Sequence, residues 1–131
     1  MSAIGVGVSL RGINHEHFHY PFNLAAGITT NDAGKPVALD ASGANKVKIA
    51  GDGDEVIGQL VVVENRTIEG LLVGTVELFG GWRFDILAAD TLAVGDAVVG
   101  AAGGKVKKGA AGTGRLRAVE VANGQAVCIK V

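Results

Sequence analysis

Two stretches of the chain, residues 34–63 and 95–121, alternate apolar and polar residues in the same order. In the first, Val37 and Leu39 alternate with Ala38 and Asp40; beyond Ser42-Gly43, Val47 and Ile49 alternate with Lys46 and Lys48. A two-residue period belongs to half-buried strands, so a hairpin with its lysines facing water is predicted. In the second stretch Lys105, Lys107 and Lys108 flank Val106 in the same way. With a short gap before the lysines, Gly34 aligns with Gly95, Val37 with Val98, Lys46-Val47-Lys48 with Lys105-Val106-Lys107, Ile57 with Leu116, and Val62 with Val121. Each stretch runs into a turn signal, Asn65-Arg66 or Asn123-Gly124, followed by another apolar run. The predicted unit is therefore strand, hairpin, strand, glycine turn, long strand, hairpin, strand. Two such units, 34–79 and 95–131, are expected to pair into one barrel, because neither alone has enough strands to bury its apolar face. Chance similarity between Gly-, Val- and Lys-rich segments is the alternative reading.

The remaining pattern agrees with an all-β chain. Leu60-Val61-Val62-Val63 is a continuous apolar run, as expected for a strand covered on both faces, in a sandwich or at a subunit contact. Residues 71–79 return antiparallel, with Leu72, Val76 and Leu78 on one face. After Gly80-Gly81, Trp82, Phe84 and Ile86 alternate with Arg83 and Asp85, the cleanest two-residue period in the chain. Alternation slips within residues 115–121, and a bulge near Ala118 is expected there. The one helical signal is a single turn over residues 88–92. The predicted fold is a small antiparallel β-barrel or sandwich made of two similar β-units. Residues 1–23 form an extended N-terminal arm, and residues 24–131 form one barrel-like domain.

Composition sharpens this. With 21 glycines and only 2 prolines in 131 residues, the chain favours short strands and tight turns. A net charge of -1 and a pI near 6.3 supply no field for nucleic acid or an anionic membrane, so neither partner is expected. No apolar run approaches the ~18 residues of a membrane span. Cys128 is the single cysteine and has no internal disulfide partner, which points to synthesis in a reducing cytoplasm. The opening MSAIGVGVSLRG lacks the basic start of a signal peptide.

Candidate chemistry is sparse. His15, His17 and His19 share one side of an extended arm, with Glu16, Phe18 and Tyr20 on the other. Alternate imidazoles could hold a metal, but no second ligand cluster accompanies them. The preferred reading is a polar and aromatic arm that packs on a neighbour, with no cofactor. Gly51-Asp52-Gly53-Asp54 lacks the further oxygen ligands of a calcium loop, and residues 109–114 lack the Gly-Lys-Ser/Thr ending of a phosphate loop. Trp82 is either a core anchor or a partner hot spot, with the core favoured. All three histidines lie in the arm, Ser2, Ser9 and Ser42 are isolated residues of the arm or a turn, and no pair stands out as a general acid and base, so no enzymatic activity is expected.

The run GKPVALDASGANKVKIAGDGDEVIGQLVVV, followed by LAADTLAVGDAVVGAAGGKVKKGAAGTGRLRAVEVANGQAVCIKV, resembles the head decoration, or cement, proteins of tailed bacteriophages. In that family a G-x-P-V strand, a G-K-V hairpin, a G-D-x-V strand and a closing Val-rich strand recur in this order, and the resemblance covers residues 24–131. It implies a β-rich protein without activity or cofactor, made in the bacterial host cytoplasm and added to the outer capsid surface of the virion. There it would clamp adjacent major capsid subunits, self-associating as a homotrimer or alternatively a dimer. The histidine-rich arm departs from the pattern. Contacts to capsid or neighbouring subunit are expected from His15, His17, Phe18, His19, Tyr20, Phe22 and Trp82. Two rival classes are a β-barrel carrier module, needing a modifiable lysine at a hairpin tip near Lys46 or Lys105, and a ligand-binding β-domain. For the latter, six aromatic residues, three of them in the arm, are few.

Overall fold

The computed structural model describes residues 19–66, 71–88 and 90–131, and the all-β class is observed. Its strands are β1 (His19–Leu24), β2 (Pro36–Leu39), β3 (Lys46–Ile49), β4 (Gly58–Arg66) and β5 (Leu71–Glu77), then β6 (Gly81–Asp85), β7 (Val98–Ala101), β8 (Lys105–Lys108), β9 (Leu116–Ala122) and β10 (Gln125–Lys130). The first five close on themselves in the order β1-β3-β2-β4-β5, with β1 parallel to β3 and antiparallel to β5. The last five repeat that order. β6-β10-β9 and β7-β8 are hydrogen-bonded sheets, and two single bridges, Ala97 to Arg117 and Ile86 (parallel) to Val106, join them into a second ring. Closure removes the open edges that a small sheet would otherwise expose.

The repeat is thus real in topology, but each unit closes alone instead of the two sharing one barrel. The reason is a strand that the sequence reading placed in the arm. β1 of the first barrel corresponds to β6 of the second: Asn23 and Leu24 pair with Lys46 and Val47 as Ile86 pairs with Val106. The arm boundary therefore moves, since His19–Leu24 belongs to the barrel. Registers also correct the sequence alignment by one residue. Gly34 N donates to Leu60 O and Gly95 N to Ala118 O, so Leu60 matches Ala118 and Gly58 matches Leu116. Both long strands bulge at the same place: Leu60 and Val62 face Val76 and Thr75, while Ala118 and Glu120 face Cys128 and Val127. The expected bulge near Ala118 is found at Val119, and Val61 is its twin. Within one chain the apolar run of β4 is covered on one face only: Leu60 is buried, whereas Val61, at the bulge, and Val62 are exposed.

Each barrel has its own core. Leu24, Ile28, Val37, Val47, Leu60 and Val76 fill the first, with Phe22, Ile49, Val63 and Leu72 at its margin. Trp82, Phe84, Val98, Val106, Leu116, Ala118, Ala126 and Cys128 fill the second. Ala38, Ala50 and Val56, from the outside of the first barrel, join the second core and so weld the two. Helical turns occur at Thr30–Asp32, closed by a Thr29 capping box, and at Ala102–Gly104. The turn expected over 88–92 includes Ala89, outside the described residues; beside it Asp90 N donates to Leu87 O in a plain turn.

The weld rests on one close approach. Gly53 N donates to Gly100 O and Gly100 N to Asp54 O, at 2.9 and 2.8 Å, and a Cβ on Gly100 would lie 2.6 Å from Gly51 O and 2.7 Å from Ala50 Cβ. Gly100→Ala is expected to lower unfolding free energy by about 1–3 kcal/mol through overpacking. Gly81→Ala, whose added methyl meets nothing nearer than 3.8 Å, is expected to stay within about 0.5 kcal/mol in the same denaturant titration.

Burial pushes the Cys128 thiol from 9.0 up to about 11. A folded value raised above the unfolded one contributes stability that is whole below pH 9 and lost as pH climbs through 11. Cys128→Ala is expected to cost stability at pH 7, through lost packing, and the gap to the native protein is expected to narrow between pH 9 and 11 in parallel melts.

Candidate interaction surface

The correspondence of β1 with β6 aligns HYPFNL with GWRFDI, so that Tyr20 matches Trp82 and Phe22 matches Phe84. Their environments differ in an informative way. Trp82 is 2% exposed, tilted against Phe84, and donates its indole N–H to Glu77 Oε1 at 2.8 Å. Its partner Glu77 ends β5, immediately before the short connection 78–80 that leads into β6. Trp82 is therefore a core residue, which corrects its assignment to a capsid or subunit contact. Tyr20, at the equivalent position, is 50% exposed. Phe22 packs on the first core and is only partly available to a partner.

His19 is an exposed residue of β1 whose Nε2 lies 3.5 Å from Glu77 Oε2. Glu77 thus stands between the entry to the first barrel and the buried tryptophan of the second, an arrangement the sequence did not signal. His15, His17 and Phe18 lie outside the described residues. Among the described residues, no group of three His, Cys, Asp or Glu side chains is placed to hold a metal. Lys46 and Lys105 begin β3 and β8 and do not stand at hairpin tips; the Lys46 ammonium donates to Ser42 Oγ.

The seam between the barrels carries further polar contacts. Lys130 Nζ, on β10, donates to Ile57 O and Leu78 O at 2.7 and 3.1 Å and lies 5.2 Å from the centre of the Phe79 ring. Burial, with the Arg115 charge nearby, holds this ammonium below the usual lysine range, against an opposing pull from Glu55. Lys107 pairs with Asp52 across the same seam. These groups lock one barrel on the other. They also leave exposed, on the outside, Tyr20, Leu39, Val61, Val62, Phe79, Val119 and Ile129.

No protein-family model and no curated relative matches the chain.

The Glu77 contact is directly testable, because Trp82 is the single tryptophan. Glu77→Ala leaves a buried N–H without its acceptor and is expected to cost about 1–3 kcal/mol and to shift tryptophan emission. Glu77→Gln keeps a side-chain oxygen at that place, and is expected to recover most of the stability and the native emission maximum. Equal losses from the two variants would show that the charge, not the indole bond, carries the contact.

Proposed function

We propose that this protein is a head decoration protein: it binds the outer surface of an assembled phage capsid, stabilises contacts between major capsid subunits, and works without catalysis or cofactor. The observation that carries the reading is the asymmetry of the two barrels. Residues 1–18 precede β1 beside an exposed Tyr20, whereas the matching strand β6 is entered through a three-residue connection beside a buried Trp82. The same structural position is thus a sealed core in one barrel and an accessible aromatic, with a long segment attached, in the other.

Such a molecule suits attachment to a lattice. Two closed barrels with registers pinned by bulges form a scaffold that loses little entropy when it binds. An extended segment can add to a neighbour's sheet edge while Tyr20 anchors its base. A protein that binds only the assembled shell stabilises it by mass action, and many copies add their modest increments. The partners in this reading are the major capsid protein and other copies of the chain, as a homotrimer or alternatively a dimer. The location is the outer capsid surface of the virion, after synthesis in the host cytoplasm.

Because His19 and Tyr20 belong to β1, the arm is best removed by deleting residues 1–18. The truncated chain is expected to keep native tryptophan emission and melting temperature while failing to co-sediment with expanded capsids that pellet the full chain. Normal capsid binding by the truncated chain would remove the arm from the mechanism. Failure of the full chain to pellet would remove the decoration reading itself.

A further inference from the structure

The first barrel is closed over only part of its height. β4 pairs with β5 from Gln59 to Arg66, but on its other side β2 reaches no further than Gln59, and the last backbone bonds there join Leu60 to Gly34 and Lys35. Residues 62–66 therefore present an edge with no strand beside it among the described residues. The hairpin of the second barrel is shorter. Leu60 and Val76 face each other sixteen positions apart in the chain, whereas Ala118 and Cys128 are ten apart, and the β9–β10 hairpin ends at a turn whose Gly124 O accepts from Ile86 N. An unpaired edge is where a further strand adds.

The side chains along this edge specify the strand it takes. Val63 is half-buried against the first core, as is Leu72 on β5, while Val62 and Glu64 are exposed. A strand laid here has one side next to Val63 and the other in water, so it needs a two-residue period. One such period precedes β1: Ile4, Val6, Val8 and Leu10 alternate with Gly5, Gly7, Ser9 and Arg11.

Chain length decides whose segment reaches the edge. His19 lies opposite Glu77, and Glu77 opposite Gln59, so β1 starts two strands away from β4 and level with Gln59. A strand beyond β4 is three strand spacings from β1, and with its near end at Val62 the gap to His19 is roughly 17 Å. The tether, residues 12–18, spans at most about 25 Å, so the chain's own segment reaches when Arg11 lies beside Val62. That direction is antiparallel to β4. The parallel one would place Arg11 beside Arg66, roughly 28 Å from His19 and out of reach. A short tether holds its segment at an effective concentration of about a millimolar, which favours it over the same segment of a separate copy.

We propose that residues 3–11 add to the 62–66 edge of β4 in their own chain, antiparallel, with Ile4, Val6, Val8 and Leu10 on the side of Val63. The pairing shields the edge from other chains in the free protein. A few ladder bonds hold it, so it opens ahead of the barrels and leaves their melting unchanged. The proposal does not rest on the capsid reading.

Hydrogen exchange read by mass spectrometry tests this in the full chain, in a chain lacking residues 1–11, and in the double variant Val6→Pro, Gly7→Pro. Adjacent amides of a strand point to opposite sides, so one of the two prolines removes a donor facing β4 whatever the register. Residues 61–66 are expected to exchange about tenfold faster in both variants, while residues 81–85 of β6 keep their rate. In the full chain the protection is expected to be the same on dilution, with light scattering following the mass. Equal exchange at residues 61–66 in all three chains would overturn the proposal. So would protection that falls on dilution together with the scattered mass, because a second copy would then supply the strand. Capsid co-sedimentation tests the decoration reading separately, and neither result decides the other.

Discussion

The backbone of Gly100 meets the 51–54 turn closely enough to exchange two hydrogen bonds, and the placement of one barrel on the other depends on it. No side chain fits at that point, so glycine is required for packing, whatever its backbone angles. The contact brings Ala38, Ala50 and Val56 into the second core, carries Lys107 to Asp52, and sets Lys130 over Ile57 and Leu78. Each of these is modest alone, since exposed ion pairs contribute ~0–1 kcal/mol. Together they turn two small barrels, each too small for a large core, into one body with a shared apolar seam.

That seam decides where the molecule can differ from end to end. Equivalent strands in the two barrels share bulges and several core positions: Val37 with Val98, Val47 with Val106, Phe22 with Phe84. Differences fall both inside, at Leu60 against Ala118 and Gly58 against Leu116, and at the surface or seam, where exposed Tyr20 stands against buried Trp82, Leu39 against Gly100, and the 51–54 turn against 110–113. A repeat that keeps its frame while its exposed positions diverge suits a binding scaffold, because affinity is set by a few surface anchors held on a rigid frame.

Much of this was legible in the sequence. The paired lysine-valine hairpins, the alternation of Trp82, Phe84 and Ile86, the Asn123-Gly124 turn and the bulge beside Ala118 all follow from two-residue periodicity and turn chemistry, and all are present. What escaped was β1. Pro21 and the histidines break its resemblance to β6, and only the aromatic-x-Phe spacing of Tyr20-Pro21-Phe22 and Trp82-Arg83-Phe84 reveals it. Without β1 the first unit lacks its closing strand, which is why one shared barrel looked necessary. The one-residue error in aligning β4 with β9 comes from the bulges, since an extra residue in each strand hides the register from a pattern that counts by twos. The seam itself was not legible at all: nothing in Gly100 or Lys130 marks a contact with residues 46 to 73 positions away.

A tethered contact and a free one have different requirements, and the seam of this repeat is of the tethered kind. Three residues, 78–80, connect β5 to β6, so the barrels meet at high effective concentration and their seam can be built from backbone bonds and glycine. An untethered contact must overcome the loss of translational and rotational freedom, and it does so chiefly by burying apolar side chains. Burying one leucine stabilises by roughly 1.5–3 kcal/mol, whereas glycine contributes almost nothing of that kind. Leu39 stands where the tethered seam has Gly100, and Ala110 and Ala111 stand where it has Gly51 and Asp52. The exchange at Leu39 puts a side chain where the seam needs bare backbone, so the approach that Gly100 makes to the 51–54 turn could not be repeated there.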